Sequence, residues 1–179
     1  ESLTHNKKNM KKIITSIICL LTLTTLKAQE FKINSEKSII EFNYIGEDAV
    51  GTINGVNGTI NFNTSDLSKS YFEGRANIAS INTGNKTRDA HLNASDYFDT
   101  KNYHEIIFKS ESVSVSDDKY VLSGQMTIKE VSKAEKINFS FTDGSFVGQC
   151  IIYSNDYDIH KRKKREDSKI LIKITVPVL

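Results

Sequence analysis

The chain has 179 residues, with 24 lysines and arginines against 22 aspartates and glutamates, and a formal charge of +2. This length suits one domain with room for a small second one, and the charge is too small for the basic footprint of a nucleic-acid-binding domain. Two cysteines and four histidines argue against a disulfide-dense scaffold, a four-thiolate zinc site and a histidine-rich metal cluster.

Residues 1–28 are predicted to be a leader and signal peptide that is removed. Met10 and two lysines are followed by an apolar stretch over residues 13–26, and the segment closes on the small residue Ala28. A basic start, an apolar middle and a small residue at the exit are typical of secretory signals. The stretch is shorter than the roughly 20 residues that span a bilayer, although an uncleaved anchor is the alternative. We therefore expect a periplasmic protein, with secretion as the other option, and no transmembrane segment in the mature chain.

Removal of the leader changes the charge and the cysteine count. It takes away five of the 24 basic and one of the 22 acidic residues, which leaves 19 against 21 and a net charge of −2. One cysteine, Cys150, remains, so no intramolecular disulfide forms. We expect its thiol to be buried as a small apolar group.

Residues 29–179 are predicted to form one all-β domain. Apolar and polar residues alternate through most of it, as in Ile40-Glu41-Phe42-Asn43-Tyr44, which is the period of half-buried strands. Tight turns are predicted at Asn54-Gly55, Asn57-Gly58, Asp117-Asp118 and Asp143-Gly144. Eight or nine such strands suit a closed antiparallel barrel, but periodicity alone does not separate a barrel from a sandwich.

Two segments interrupt the alternation. Residues 87–103 have no period of two and suggest short helical turns, and a loop of this length inside a compact domain is often functional. The run from His160 to Arg165 is basic and could attract phosphates or anionic lipid head groups. A solvated hairpin loop is the simpler interpretation of that run, because no aromatic residues interleave with its cations.

The irregular segment also holds the candidates for chemistry. Arg88, Asp89 and His91 are close in sequence, and they could bind a ligand head group or anchor the loop by charge-assisted hydrogen bonds. HExxH, GxSxG and phosphate-cradling motifs do not occur in the sequence. We therefore predict no enzymatic activity and no metal site, and rank a hydrolase based on Asp89 and His91 last.

Several segments together resemble the YceI-like family. The resemblance rests on Ser80-Ile81-Asn82-Thr83-Gly84, Arg88-Asp89-Ala90-His91-Leu92, Asp96-Tyr97-Phe98-Asp99 and Ile106-Ile107-Phe108-Lys109-Ser110 in this order. Flanking strands agree, and the likeness extends over residues 30–141 and more loosely over the tail. His104 and Glu130 stand where the family commonly has Pro and Gly, and the family's late Arg and Gly are missing from residues 154–159.

The resemblance implies a lipocalin-like, eight-stranded antiparallel β-barrel with a short helical insertion at about residues 87–103. It also implies a non-enzymatic protein whose apolar cavity holds a polyisoprenoid or fatty-acid-derived chain for transport, storage or scavenging. The inward residue types fit such a chain, which has nothing to hydrogen-bond. The cavity residues expected are Phe42, Tyr44, Phe62, Phe72, Ile78, Phe108, Leu122, Met126, Phe139 and Phe141.

A second function stays open at this point. It is a structural or stress-response interaction protein, in which the phenylalanines fill the barrel core and no ligand is bound. The expected partner is a small apolar lipid, with a homodimer left open and nucleic acid excluded. No cofactor is expected apart from such a bound lipid.

Overall fold

The computed structural model describes residues 29–160 and 162–179. The predicted signal peptide, residues 1–28, lies outside the described residues, as does Lys161 of the basic run.

A single antiparallel sheet of ten strands forms the body of the described chain. Strands β4 to β10 follow one another in space as they do in sequence, so hairpins build most of the sheet. The first three strands complete it at its two ends, in the order β1-β4-β5-β6-β7-β8-β9-β10-β2-β3. The strands are β1 Gln29–Phe31, β2 Ile39–Tyr44, β3 Ala49–Asn54, β4 Asn57–Phe62, β5 Tyr71–Asn77, β6 Glu105–Ser116, β7 Lys119–Ile128, β8 Val131–Thr142, β9 Ser145–Tyr153 and β10 Lys169–Pro177.

One α-helix, α1 (Lys86–Asn93), opens the irregular segment. The side chain of Asn85 caps it by accepting hydrogen bonds from the backbone N–H groups of Thr87 and Arg88. The predicted helical insertion is thereby confirmed. Short 3-10 helices lie at Ser35–Lys37, Ile45–Glu47, Leu67–Lys69, Ile78–Ser80, Ser154–Tyr157 and Arg165–Ser168.

Two isolated bridges tie the ends of the curled sheet. Beyond β1, Ile33 pairs with Val178, and the N–H of Asn34 donates to the carbonyl of Pro177 at 2.8 Å. At the other end, Thr52 of β3 exchanges two backbone hydrogen bonds of 2.9 Å with Asn82. These contacts cover edges that would otherwise be exposed.

The predicted class, an all-β antiparallel barrel of the lipocalin type, is confirmed. The sheet has ten strands where eight were expected. One of the extra strands, β1, has three residues, too few for an alternating pattern to be recognised.

The turn predictions have mixed outcomes. Asp143 and Gly144 have φ values of 51° and 69°, and they connect β8 and β9 as a tight hairpin. The prediction of a turn at Asn57-Gly58 is wrong, because both residues belong to β4. A Cβ atom at position 58 would overlap the backbone carbonyl of Glu73, so this glycine serves the close approach of β4 to β5.

Aromatic rings fill one end of the barrel. The ring of Phe62 lies 4.9–5.8 Å, centroid to centroid, from four other rings, and all four contacts are edge to face. Phe31 and Phe141 extend the group through Phe146. This aromatic end consists of Phe31, Phe62, Phe72, Tyr120, Phe139, Phe141 and Phe146.

The 3-10 helix Ser154–Tyr157 packs against β8, beyond the point where β8 and β9 stop pairing. Tyr157 is fully buried there, and its hydroxyl donates a 2.8 Å hydrogen bond to Glu135 Oε1. Burial raises the pKa of Glu135 above its ordinary value, against the opposing effect of that hydrogen bond. Compared with the unfolded chain, the native state therefore binds a proton at this carboxyl more tightly.

We expect Glu135→Gln to stabilise the protein at neutral pH, because it removes a half-buried charge and keeps an acceptor for Tyr157. The raised pKa of Glu135 means that its protonation stabilises the native state fully below the ordinary pKa of 4.5, and that this contribution is lost as the pH rises through the native pKa. The gain in melting temperature should therefore be present at pH 7 and should vanish below about pH 4.

Thermal unfolding of both proteins from about pH 3 to about pH 8, a range that extends below the ordinary pKa of the carboxyl, measures this difference. Glu36→Gln, at an exposed position, is the matched control and should change little at any pH. A variant at position 135 that is less stable than the parent at pH 7 would contradict the argument.

Candidate functional site

Two adjoining apolar chambers lie inside the curled sheet. The inner chamber borders the aromatic end and has a volume of about 120 Å³. The lid chamber has a volume of about 90 Å³ and lies under α1 and the segment that follows it. Roughly 10–15 Å³ suffices for one water, so neither chamber is a mere packing defect. The inner chamber is lined by Phe72, Phe108, Leu122, Phe139, Phe146 and Val176 among others, and the lid chamber by Phe42, Tyr44, Leu92, Tyr97, Phe98 and Ile159 among others.

Four side chains form a waist that borders both chambers: Ile40, Ile106, Met126 and Ile174. Three of them are β-branched and therefore stiff at χ1. Met126 is unbranched and adapts its shape readily. The two chambers therefore adjoin across a constriction with one adjustable member.

Polar side chains around the chambers are already paired with each other. In the lid chamber, the buried hydroxyls of Tyr44 and Ser154 lie 3.0 Å apart and share a hydrogen bond. Beside the inner chamber, Arg75 donates to Glu73 Oε1 at 2.7 and 2.9 Å. The space inside suits a chain of carbon atoms, because a ligand with polar groups along its length would find no partners there.

Small residues on β5 provide the space of the inner chamber. Phe72, Gly74 and Ala76 occupy the inward positions of this strand, and all three line the chamber. A Cβ atom added to Gly74 would meet nothing closer than Val56 Cγ1 at 4.0 Å. Gly148 differs, since a Cβ there would come within 2.9 Å of Ile137 Cγ2. The sequence analysis did not single out Gly74. A glycine at an alternating position between inward apolar residues, here Phe72 and Ala76, nevertheless indicates open space on the inward face of a strand.

Three segments meet above the lid chamber. Tyr97, from the insertion, stacks on His160 with a centroid distance of 4.7 Å and an angle of 13°. Arg162 Nη1 lies 2.8 Å from Glu47 Oε1, and its Nη2 donates to the carbonyl of Gly46 at 3.0 Å. The insertion that holds Tyr97 and the loop that holds His160 and Arg162 thus contact each other, and Arg162 binds the 3-10 helix that follows β2. We call these two segments the lid.

Seven of the ten predicted cavity residues line a chamber. They are Phe42 and Tyr44 in the lid chamber, Met126 in the waist, and Phe72, Phe108, Leu122 and Phe139 in the inner chamber.

The other three predicted cavity residues lie elsewhere. Phe62 is buried within the aromatic end, and Ile78 begins a 3-10 helix where the alternation of β5 stops. Phe141 is 36% exposed and packs on Phe31 and Phe146, because it lies near the end of β8, past the inner chamber.

Arg88 and Asp89 are both held by Thr83. Arg88 donates from Nε to the Thr83 hydroxyl at 2.9 Å and from Nη2 to its carbonyl at 3.1 Å. Asp89 Oδ1 accepts from the N–H and hydroxyl of Thr83 at 2.8 and 2.6 Å. His91 is exposed on α1. The geometry gives Arg88 and Asp89 the contacts of a loop anchor, and a role toward a ligand head group stays a prediction.

The arginines of the basic run are engaged within the protein. Arg165 forms a bidentate pair with Asp156 at 2.6–3.2 Å, and its guanidinium lies 3.5 Å above the ring of Tyr153. Arg162 is bound to Glu47. Among the described cations of the run, Lys163 and Lys164 are exposed and do not form such an ion pair. The two arginines of the run therefore fasten the loop that carries them.

Cys150 is buried, as expected, and burial raises the pKa of its thiol to about 12. Within residues 29–160 and 162–179, no three His, Cys, Asp or Glu side chains are grouped as a metal site would require. In the same part of the chain, no helix has the length and apolar character needed to cross a membrane.

A curled antiparallel barrel with an apolar interior and a lid of loops defines a lipocalin-like protein. The family model of the YceI-like domain matches residues 31–178, so the chain belongs to the YceI-like family. A UPF0312 protein of Photorhabdus laumondii, plu2095, is 33% identical over 88 residues. That match covers 49% of this chain and 46% of the relative, so the similar region spans about half the length of each.

Solved structures share the fold at low sequence identity. BcnA of Burkholderia cenocepacia superposes with a TM-score of 0.71 at 16% identity, over 81% of this chain and 98% of that one. A polyisoprenoid-binding domain from Saccharophagus degradans, implicated in plant cell wall breakdown, has a TM-score of 0.56 at 11% identity, over 85% and 98% of the two chains.

We expect Arg88→Ala to lower stability in the absence of any ligand, because it removes two charge-assisted hydrogen bonds to Thr83. The loss should be about 1–2 kcal/mol, measured by chemical denaturation of the ligand-free protein. His91→Ala, on the same helix but exposed, is the control and should be nearly neutral. If Arg88→Ala leaves stability unchanged and weakens lipid binding alone, Arg88 is a binding residue and not an anchor.

Proposed function

We propose that the protein is an exported, non-enzymatic lipid-binding protein that holds a polyisoprenoid or fatty-acid-derived chain for transport, storage or scavenging. The observation that carries the proposal is the pair of adjoining apolar chambers, closed by aromatic rings at one end and covered by a lid at the other. Burying apolar surface from water stabilises a bound chain by about 0.8 kcal/mol per methylene.

The lining supports this ligand class. The hydroxyls of Tyr44 and Ser154 satisfy each other, so a saturated or prenyl chain leaves no polar group unpaired. The structural neighbour from Saccharophagus degradans is described as polyisoprenoid-binding, which favours the same class. The predicted signal peptide supports export to the periplasm, with secretion as the alternative, and the homodimer stays a prediction.

A charged head group would remain outside, because moving it into an apolar chamber without a partner is costly. The lid offers the polar surroundings in which it can stay hydrated. Arg162 is engaged by Glu47, while Lys163 and Lys164 are exposed in the same loop. We assign the head group to this rim and the chain to the chambers.

The alternative of a filled core with no ligand fits the aromatic end, where Phe62 and Phe139 are in ring contact. It does not account for Phe42 and Phe108, which line open chambers. No catalytic role is assigned to the loop residues, since Asp89 is held by Thr83 and His91 faces solvent.

Native mass spectrometry tests the proposal directly. The purified protein is expected to carry an isoprenoid or fatty amide, or to take one up on incubation, with a matching mass shift. Lipid extraction followed by mass spectrometry identifies the bound species. Protein that is empty as isolated and shows no shift with either lipid class would support the filled-core alternative.

Loosening the lid should speed exchange of the bound chain. Tyr97→Ala removes the stack on His160, and a stacked pair of this kind contributes about 0.5–1.5 kcal/mol, so the dissociation rate should rise by about 2- to 10-fold. Stopped-flow displacement of a fluorescent fatty acid measures the rate. Tyr71→Ala, on the outer face of β5, is the control. Equal rates in both variants would exclude this route.

A further inference from the structure

The depth of the two chambers can be read from β10. Its inward side chains Ile170, Ile172 and Ile174 line the lid chamber, and Ile174 and Val176 line the inner chamber. The strand advances about 20 Å over these residues, and a tilt of about 40° leaves about 15 Å along the barrel axis. An extended chain advances roughly 3.5 Å for every three bonds. About 13 bonds therefore span the roughly 15 Å along the barrel axis and about 17 bonds span the roughly 20 Å along the tilted strand, which are the two limits for a chain that fills both chambers.

The inner chamber has a firm end. Phe72, Phe139 and Phe146 form its floor, and their rings lie 5.2–6.1 Å apart, centroid to centroid. Interiors packed in this way do not give way to an extra methylene without a cost in strain. A chain that reaches the floor cannot extend further.

Gly74 decides whether a chain reaches that floor. Its missing side chain leaves open space on the inward face of β5, where a Cβ atom would have Val56 Cγ1, at 4.0 Å, as its nearest neighbour. The chain must first pass the waist, where Met126 is the adjustable member. A larger side chain at position 74 would occupy the inner chamber and leave the lid chamber unchanged.

We propose that the inner chamber sets the maximum length of the bound chain, and that Gly74 is the position that determines this specificity. The preferred ligand has a single chain of about 13–17 bonds, with its end against Phe72, Phe139 and Phe146. This inference rests on the proposed lipid-binding function and adds to it the length of the chain and the residue that fixes it.

Affinity as a function of chain length tests the proposal. Primary fatty amides of about 8, 12, 16 and 20 carbons, a range centred on the chamber depth, are titrated into the protein and into Gly74→Leu by native mass spectrometry. Binding to the parent should tighten about fourfold per added methylene up to about 16 carbons and then level off. In Gly74→Leu the levelling should come at about 12 carbons or fewer, with at least a tenfold loss for the 16-carbon amide and less than threefold for the 8-carbon amide.

Matched variants separate chamber filling from general damage. Ser140→Leu adds a leucine to the exposed face of β8 and should keep the length profile of the parent. Phe72→Leu replaces an aromatic ring at the floor with a smaller side chain, so affinity should level off at longer chains. This second variant keeps the proposal testable if Gly74→Leu does not fold.

The outcomes are distinguishable. If the parent binds no amide of any length and no isoprenoid, the lipid-binding function and the length rule both fail. If the parent binds amides but the length profile is the same in the parent, Gly74→Leu and Phe72→Leu, the length rule fails and the lipid-binding function stands.

Discussion

Side chains on the concave face of a curled antiparallel sheet meet one another and not water, so they must be apolar or already paired. Strands β2, β5, β7 and β10 all obey this rule, and Tyr44 with Ser154 shows the permitted exception, since the two hydroxyls bond each other. The lid, the aromatic end and the chambers all follow from this constraint. The interior volume is fixed by the number of strands, and the side chains then fill it or leave it open.

Closure of the sheet relies on contacts between distant parts of the chain. The bridge of Ile33 with Val178 joins the two ends of the described domain, and the bridge of Thr52 with Asn82 ties β3 to the segment that leads into α1. Because Thr83 follows Asn82 and holds both Arg88 and Asp89, the second bridge also positions the insertion. The lid is therefore fastened to the sheet on one side and latched by Tyr97 and His160 on the other.

Local pattern predicted much of this architecture, because each alternating strand needs only its own residues to reveal its inward face. It also predicted the irregular insertion, and seven of the ten residues that it predicted for the cavity line a chamber. Long-range features were not predictable in the same way. Nothing in the sequence near Arg162 points to Glu47, more than a hundred residues earlier. Asn57-Gly58 looks like a turn until the neighbouring carbonyl of Glu73 shows why a glycine stands there.

The open chambers have a thermodynamic consequence. A cavity of about 120 Å³ costs roughly 3 kcal/mol at about 24 cal/mol per Å³, and an apolar cavity stays dry, so water does not offset that cost. A side chain at position 74 would fill part of this space and remove much of the cost, because a Cβ atom there meets only Val56 at 4.0 Å. A ligand that fills the space recovers the lost contacts and binds the native state alone. If the proposed lipid occupies the space, its binding adds to the stability of the native state through linkage.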